Sequence, residues 1–196
     1  VHHGVWDYDF PTHPNLLDVT VDGRNIKAVA QISKQGFTYV FDRVTGDPVW
    51  PIDERSVETD TDLAGDILSP TQPFPTKPLP FEEQGASVDQ LVDFTPEIRA
   101  MALDAVRSHR LGGLFTPPML SADGGLQGTI QRPAIGGGAN WNGSAVDPET
   151  GLLYVPSLNA YSVMSYYTPD PADGGNLNLT QGGFDTAPLM PRGLPL

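Results

Sequence analysis

The chain has 196 residues, with 11 Lys and Arg side chains against 24 Asp and Glu, so its formal net charge is −13. This acidic balance excludes a basic surface for nucleic acid or for an anionic membrane, and the lack of cysteine excludes disulfides, thiolate metal sites and a thiol nucleophile. The 21 glycines and 20 prolines predict a chain rich in turns and long loops, not a helical bundle.

The first fifty residues are predicted to form short antiparallel strands. Residues 15–22 and 26–32 alternate apolar and polar side chains around an Asp22–Gly23 turn, which is the pattern of a hairpin. Residues 36–42 add a strand rich in aromatic and β-branched side chains, and Val49–Trp50 is expected to begin a fourth. Four such strands in about fifty residues match one blade of a β-propeller.

Residues 51–94 are predicted to form a long, proline-rich loop within the same domain. The five prolines between positions 70 and 80 favour extended backbone without ladder hydrogen bonds. A loop of this length inside a compact domain is usually functional or packed over another surface, and a simple linker is the alternative.

One helix is predicted, over residues 95–110. Thr95 can cap its first turn and Pro96 suits the first helical position. Gly112–Gly113 are expected to end it. Its apolar face is predicted to consist of Ile98, Met101, Ala102, Ala105 and Val106.

An internal repeat supports the propeller. The string Asp-x-x-Thr-Gly occurs at 42–46 and again at 147–151, each time between predicted strands. The aspartate can cap the turn and the glycine can supply a positive φ, so each copy predicts a strand–turn–strand corner. The second corner joins residues 144–148 to 151–157, and residues 168–196 are expected to be extended.

Five short strings occur in order along the chain and together resemble the dehydrogenases that depend on pyrroloquinoline quinone (PQQ), an eight-bladed β-propeller family. They are HHxxWDYD at 2–9, KxGFxxVxDR at 34–43, SPTQPF at 69–74, FTPP at 115–118 and GGANW at 137–141. The similarity is greatest to the glucose, polyol and quinate branch. The resemblance implies an all-β fold: a partial propeller of about two to three blades, with long loops and one helix near 95–110.

The resemblance also implies an enzyme. It would be periplasmic and oxidise a sugar, polyol or related alcohol, with hydride transfer to PQQ and onward electron transfer to a membrane quinone or a cytochrome. The implied metal is Ca²⁺, with Mg²⁺ or a lanthanide as alternatives. Because the chain starts at Val1 without a signal peptide, we expect residues 1–196 to be a fragment of one propeller domain, inactive and prone to aggregate without the remainder of the propeller. A non-catalytic propeller that binds or scaffolds partners is the alternative function.

Two site residues are carried by the first two strings. The resemblance implies that Asp7 is the general base that takes the hydroxyl proton, and that Lys34 binds the cofactor and stabilises negative charge on it. The alternatives are a turn-capping aspartate and an exposed lysine at a strand end.

The remaining implied site residues are Asn140 and Trp141 at the cofactor, and Asp7 together with Asp9 at the metal. A buried core aromatic is the alternative for Trp141. Asp9 has the spacing found in lanthanide-using members, but the sugar branch carries it as well. The adjacent His2 and His3 should point to opposite faces, so that one lines the substrate pocket and the other packs.

Overall fold

The computed structural model describes residues 1–122, 124–168 and the backbone of 180–181. Strands predominate there, in small sheets, and the α-helix α1 spans Pro96–Val106. Two short 3-10 turns cover Gly4–Trp6 and Val88–Gln90. The strands are β1 (Asn15–Val21), β2 (Arg24–Ile32), β3 (Thr38–Asp42), β4 (Ile52–Ser56), β5 (Thr71–Pro75), β6 (His109–Arg110), β7 (Gly128–Gln131), β8 (Ala145–Asp147), β9 (Leu152–Tyr154), β10 (Ser162–Met164), β11 (Tyr166–Tyr167) and β12 (Thr180–Gln181).

The predicted first sheet forms, but with three strands. Strands β1, β2 and β3 are antiparallel neighbours, and the β1–β2 hairpin turns at Asp22 and Gly23, which both have positive φ. The predicted fourth strand at Val49–Trp50 is wrong, since it is reduced to an isolated bridge between Phe41 and Pro48. The hydrogen bonds on either side of the bridge form, from the Asp42 N–H to the Asp47 carbonyl at 2.8 Å and from the Val49 N–H to the Val40 carbonyl at 2.9 Å, but the pairing extends no further.

The segment 51–94 also differs from the expected continuous loop. Strands β4 and β5 pair antiparallel, from Ile52 opposite Pro75 to Ser56 opposite Thr71. The expectation that the prolines exclude a ladder is wrong here. In this two-stranded sheet β5 has one neighbour, and the edge of a sheet tolerates residues that lack an N–H.

Helix α1 begins as predicted and ends early. The Thr95 hydroxyl accepts a hydrogen bond from the Ile98 N–H, and Pro96 occupies the first turn. Only Ala102 and Val106 of the predicted apolar face are fully buried, whereas Met101 is 49% exposed. The helix ends at Val106, not at the glycine pair, because His109–Arg110 forms β6 and pairs in parallel with β7.

The two Asp-x-x-Thr-Gly corners have the same hydrogen bonds. The glycine N–H donates to the aspartate carbonyl in both, from Gly46 to Asp42 at 2.8 Å and from Gly151 to Asp147 at 2.9 Å. Both glycines have a positive φ. Trp50 and Leu153, which follow the corners, pack on one apolar cluster centred on Ala28, Ala30 and Val40. The repeat therefore joins the β8–β9 hairpin to the first sheet.

A second apolar cluster backs the N-terminal segment. Its buried members are Trp6, Tyr8, Phe37, Tyr39, Leu68, Leu114 and Phe115. The aromatic rings meet edge to face, with centroids 5.3 Å apart between Trp6 and Phe115, which is a favoured geometry. Of the segment 168–196 that we expected to be extended, 169–179 and 182–196 lie outside the described residues. Within the described part, no helix is long and apolar enough to span a bilayer.

Candidate functional site

Asp7 lies at the end of the short turn Gly4–Trp6. Its N–H donates to the Gly4 carbonyl at 2.9 Å, and its φ of 56° places it in the left-handed region. A residue other than glycine in that region is uncommon and costs roughly 1–2 kcal/mol. Backbone strain of this kind is often found at functional sites.

The neighbours of Asp7 fix its position. Trp6 and Tyr8 are almost fully buried, at 1% and 2% exposure, so the aspartate between them is directed outward. The Trp6 indole N–H donates to the Thr116 carbonyl at 2.9 Å, and the Tyr8 hydroxyl donates to the Pro133 carbonyl at 2.7 Å. Burial raises the pKa of Tyr8 far above its usual value, so the hydroxyl keeps its proton.

Lys34 joins Asp7 and Asp9 in one ion-paired cluster. Its Nζ lies 2.9 Å from Asp7 Oδ2 and 2.9 Å from Asp9 Oδ1. The Lys34 side chain is 11% exposed, while the two carboxylates are 53% and 56% exposed. Asp7 and Asp9 present their carboxylates to the same ammonium, and the Lys34 N–H donates to the Asp9 carbonyl at 3.2 Å. A mostly buried ammonium thus faces two solvent-accessible carboxylates.

Two opposing effects determine the charge of Lys34. Burial lowers the pKa of its ammonium, whereas the hydrogen bonds and charges of Asp7 and Asp9 raise it. The ion pairs outweigh burial and the net pKa is raised. Lys34 is therefore a fixed cation at neutral pH.

The glycine-rich loop packs directly against Lys34. The Gly138 N–H donates to the Lys34 carbonyl at 2.8 Å. Gly137 has a φ of +80°, and a Cβ there would lie 2.5 Å from Lys34 Cγ and 2.6 Å from its Cβ. No larger residue fits this approach without moving the lysine. Contact with the Lys34 side chain thus explains the glycine at position 137.

Asn140 and Trp141 continue that loop. The Asn140 amide donates to the Gly136 carbonyl at 2.6 Å, and its oxygen accepts from the Trp141 N–H at 2.7 Å. These bonds fix the shape of the loop itself. Trp141 is 83% exposed, so it does not belong to the core of this segment. A role for either residue at a cofactor stays a prediction.

The two adjacent histidines contact different carboxylates, as expected for side chains on opposite faces. His2 Nε2 lies 2.9 Å from Glu54 Oε1, and His3 Nε2 lies 3.4 Å from Asp66 Oδ1. The His3 ring also stands edge-on to Trp6, with centroids 6.4 Å apart. The geometry gives no sign of a shared ion between the histidines.

Asp66 and Tyr166 were not singled out from the sequence, yet they contact His3 and Val5, which precede Asp7 in the chain. The Tyr166 hydroxyl donates to the Val5 carbonyl at 3.3 Å. Burial, followed by the charges of Asp66 and Asp7, raises the pKa of this hydroxyl. Neither residue belongs to a recognisable string, so no local signal could have identified them.

The carboxylates of Asp7 and Asp9 could supply some, but not all, of the ligands of a hard cation. Asp7 and Asp9 offer carboxylate oxygens, which are ligands that Ca²⁺ prefers, but Ca²⁺ takes about six to eight oxygens. Among the described residues, no three His, Asp or Glu side chains are grouped so as to hold a metal. The two aspartates can therefore supply only some of the ligands. Lys34 is packed against Gly137 of the glycine-rich loop, and its ammonium suits a cofactor that carries negative charge.

A cavity of about 370 Å³ lies apart from these residues. It is lined by side chains that include Glu58, Phe74, Gln84 and Phe115, and by none of the predicted site residues. The candidate site is an open surface cluster on Asp7, Asp9 and Lys34.

Comparison with known proteins identifies the class. The family model described as the beta-propeller domain of PQQ glucose/ethanol/alcohol dehydrogenases matches residues 1–186, so the chain belongs to this family of PQQ-dependent oxidoreductases. The prediction of an all-β partial propeller of the quinoprotein type is thereby confirmed.

Three relatives illustrate the range of dehydrogenases to which the chain is similar. The chain is 37% identical over 156 residues to the quinoprotein glucose dehydrogenase of Escherichia coli, covering 76% of this chain and 18% of the relative. It is 32% identical over 159 residues to the quinate/shikimate dehydrogenase (quinone) of Acinetobacter baylyi (81% and 19%), and 30% identical over 154 residues to the glycerol dehydrogenase large subunit of Gluconobacter oxydans (78% and 20%). The chain thus spans about a fifth of the length of these relatives.

Proposed function

We propose that this chain is the site-bearing segment of a periplasmic PQQ-dependent dehydrogenase that oxidises a sugar, polyol or related alcohol. The observation that carries the proposal is the convergence of Lys34 on Asp7 and Asp9 from a separate segment, with both carboxylates 2.9 Å from one ammonium. A scaffold propeller would have no need for a partly buried lysine held against two accessible carboxylates. The names of the relatives, which include glucose, quinate and glycerol dehydrogenases, support this substrate class.

In this proposal, Asp7 is the general base. Its carboxylate is half exposed and fixed by the left-handed turn, so it can accept the proton of an alcohol hydroxyl that approaches from solvent. Bound PQQ supplies the two-electron oxidant for the alcohol. Lys34 pairs with Asp7 through its ammonium and presents a cation to the cofactor.

The other proposed roles concern binding. Asp7 and Asp9 hold part of the coordination shell of a Ca²⁺ ion, or of Mg²⁺ or a lanthanide in its place. Asn140 and Trp141 contact the cofactor from the glycine-rich loop, where Trp141 offers an exposed ring for stacking. Electrons leave to a membrane quinone or a cytochrome, and the word quinone in the name of the Acinetobacter baylyi relative supports the first of these.

The substitution Asp7→Asn in the complete protein tests whether Asp7 is the general base. Asparagine keeps the size and the tolerance for the left-handed backbone but cannot take a proton. We expect alcohol oxidation to fall by about 10²–10⁴-fold, while PQQ still binds, as measured by quenching of protein fluorescence. Asp53→Asn, an exposed change on β4, is the matched control. Normal turnover by the Asp7→Asn protein would refute the catalytic assignment and favour a scaffold role.

A further inference from the structure

Gln131 is a buried polar side chain in contact with the turn that leads into Asp7. It is the last residue of β7, a strand whose four residues are all buried, and it is itself 5% exposed. Its Nε2 donates to the Trp6 carbonyl at 2.7 Å, across 125 residues of chain. Its Oε1 is also buried and has no hydrogen-bond partner within the described residues. The bond to Trp6 is thus made by a side chain whose other polar end is unpaired.

Packing alone does not account for a glutamine at this position. An apolar side chain of similar length, such as methionine, would avoid the cost of burying an unpartnered oxygen. It would leave the Trp6 carbonyl without this donor. Turning the carboxamide over brings no gain, because Oε1 would then face the carbonyl oxygen of Trp6, and both are acceptors. What distinguishes glutamine from an apolar residue here is therefore the bond to Trp6.

That bond holds the peptide group that joins Trp6 to Asp7. The Trp6 carbonyl and the Asp7 N–H belong to the same planar unit. Gln131 holds the carbonyl end at 2.7 Å, and the Gly4 carbonyl accepts from the N–H end at 2.9 Å. With both ends held, the plane cannot rotate freely, and such a rotation would change the φ of 56° at Asp7. A left-handed residue other than glycine persists only where its surroundings hold it in this way.

The chain just beyond β7 supports the other side of the same turn. The Pro133 carbonyl accepts a hydrogen bond from the Tyr8 hydroxyl at 2.7 Å. Arg132, the residue before it, is 6% exposed, and its Nε and Nη2 donate to Asn159 Oδ1 at 3.0 and 2.8 Å. The end of β7 is therefore anchored, and it holds the residues on both sides of Asp7.

We propose that Gln131 is a positioning residue that orients Asp7 for proton transfer by holding the Trp6 carbonyl. Gln131 contacts neither substrate nor cofactor in this role and acts only through the peptide group before Asp7. The proposal rests on the proposed function, in which Asp7 is the general base. Proton transfer is sensitive to such support, since a displacement of about 1 Å at a catalytic group can cost about 10²-fold in rate.

The test compares Gln131→Met with Gln131→Glu in the complete protein loaded with PQQ and Ca²⁺. Methionine removes the donor, so kcat should fall about 10–100-fold at every pH with little change in KM. A protonated glutamic acid can still donate to the Trp6 carbonyl, whereas an ionised glutamate cannot. Burial should raise the pKa of this new carboxyl above its usual value of about 4.3. The kcat of Gln131→Glu, relative to the unsubstituted protein at the same pH, should therefore approach one at low pH and fall to the level of Gln131→Met as the pH rises.

The assay separates positioning from stability. The kcat is measured per bound PQQ, with whichever of glucose, quinate and glycerol the unsubstituted protein oxidises, and circular dichroism gives the folded fraction at each pH. A role confined to stability would lower the folded fraction and leave kcat per folded, loaded molecule unchanged. If Gln131→Met does not fold, Gln131→Glu still decides the matter, because it gains and loses the bond within one protein.

Gln127 offers the matched control. Its Nε2 also donates to a backbone carbonyl, that of Ala122 at 2.9 Å, in a loop that makes none of the contacts described for Asp7. Gln127→Met and Gln127→Glu should therefore leave the relative kcat constant across the pH range.

Two results would overturn the positioning role: unchanged kcat in folded Gln131→Met, or a relative kcat of Gln131→Glu that does not vary with pH. Failure of both variants to fold at any pH would overturn it as well, because the bond would then serve the fold as a whole. Normal turnover by Asp7→Asn would refute the proposed function and this proposal with it. An inactive Asp7→Asn protein beside a pH-independent Gln131→Glu protein would refute the positioning role alone.

Discussion

Replacing Gly137 by alanine tests the contact between the glycine-rich loop and Lys34. The new Cβ would lie 2.5 Å from Lys34 Cγ, 2.6 Å from Lys34 Cβ and 2.7 Å from the Ala139 carbonyl oxygen. These distances are too short to be tolerated, so either the loop or the lysine must move. The φ of +80° adds a backbone penalty of roughly 1–2 kcal/mol for alanine.

The two costs can be separated with a matched variant. Gly46 has a φ of +84°, and a Cβ there would meet nothing within 4 Å. Gly46→Ala should therefore cost only the backbone penalty of roughly 1–2 kcal/mol in the free energy of unfolding. Gly137→Ala should cost about 1–3 kcal/mol more, because overlap is added to strain.

The functional consequence is a weaker cofactor site. If the lysine is displaced, one hydrogen bond to a charged group is lost, worth about 1.5–3 kcal/mol, or roughly ten- to hundredfold in Kd for PQQ. The measurement is a fluorescence titration of PQQ into the complete Gly137→Ala and Gly46→Ala proteins. Equal affinities for PQQ in the two variants would contradict the claim that the close approach of Gly137 positions Lys34.

Two further predictions concern stability. Burial lowers the pKa of His109, and its Nδ1 has no hydrogen-bond partner within the described residues. Because the unfolded chain takes up the proton at a higher pH, the free energy of unfolding should fall as the pH drops below about 6.5. The denaturant midpoint of His109→Gln should therefore decline less steeply with falling pH than that of His13→Gln, a change at an exposed position. Equal slopes in the two variants would contradict this reasoning. Trp6→Phe removes the N–H that bonds to the Thr116 carbonyl and should cost about 1–3 kcal/mol in unfolding free energy, whereas Trp141→Phe, at an exposed position, should change it by less than about 0.5 kcal/mol.

Features specified by local turn chemistry could be predicted from the sequence. The Asp22–Gly23 hairpin, both Asp-x-x-Thr-Gly corners and the capped start of α1 at Thr95 depend on residues within four positions of each other. The end of α1 could not be predicted in this way, because it is set by pairing of β6 with the distant β7. Similarly, the proline-rich sequence of β5 did not indicate that this segment would pair with β4.

The same division holds for the candidate site. Asp7, Asp9 and Lys34 were recognised through family strings, and their roles remain predictions although the structure brings them together. The placement of Asp66 and Tyr166 depends on tertiary contacts, such as the bond from Tyr166 to Val5 across 161 residues of chain. No pattern in a single sequence reports a contact at that separation.

The left-handed conformation of Asp7 limits what can replace it. Aspartate and asparagine enter this region more readily than other side chains that bear a β-carbon, because a short polar group can bond to nearby backbone. A glutamate would keep the acid but lose that local compatibility, and its longer reach would carry the carboxylate past Lys34. The geometry of the main chain and the chemistry of the proposed base thus demand the same amino acid, which leaves this position with almost no freedom to vary.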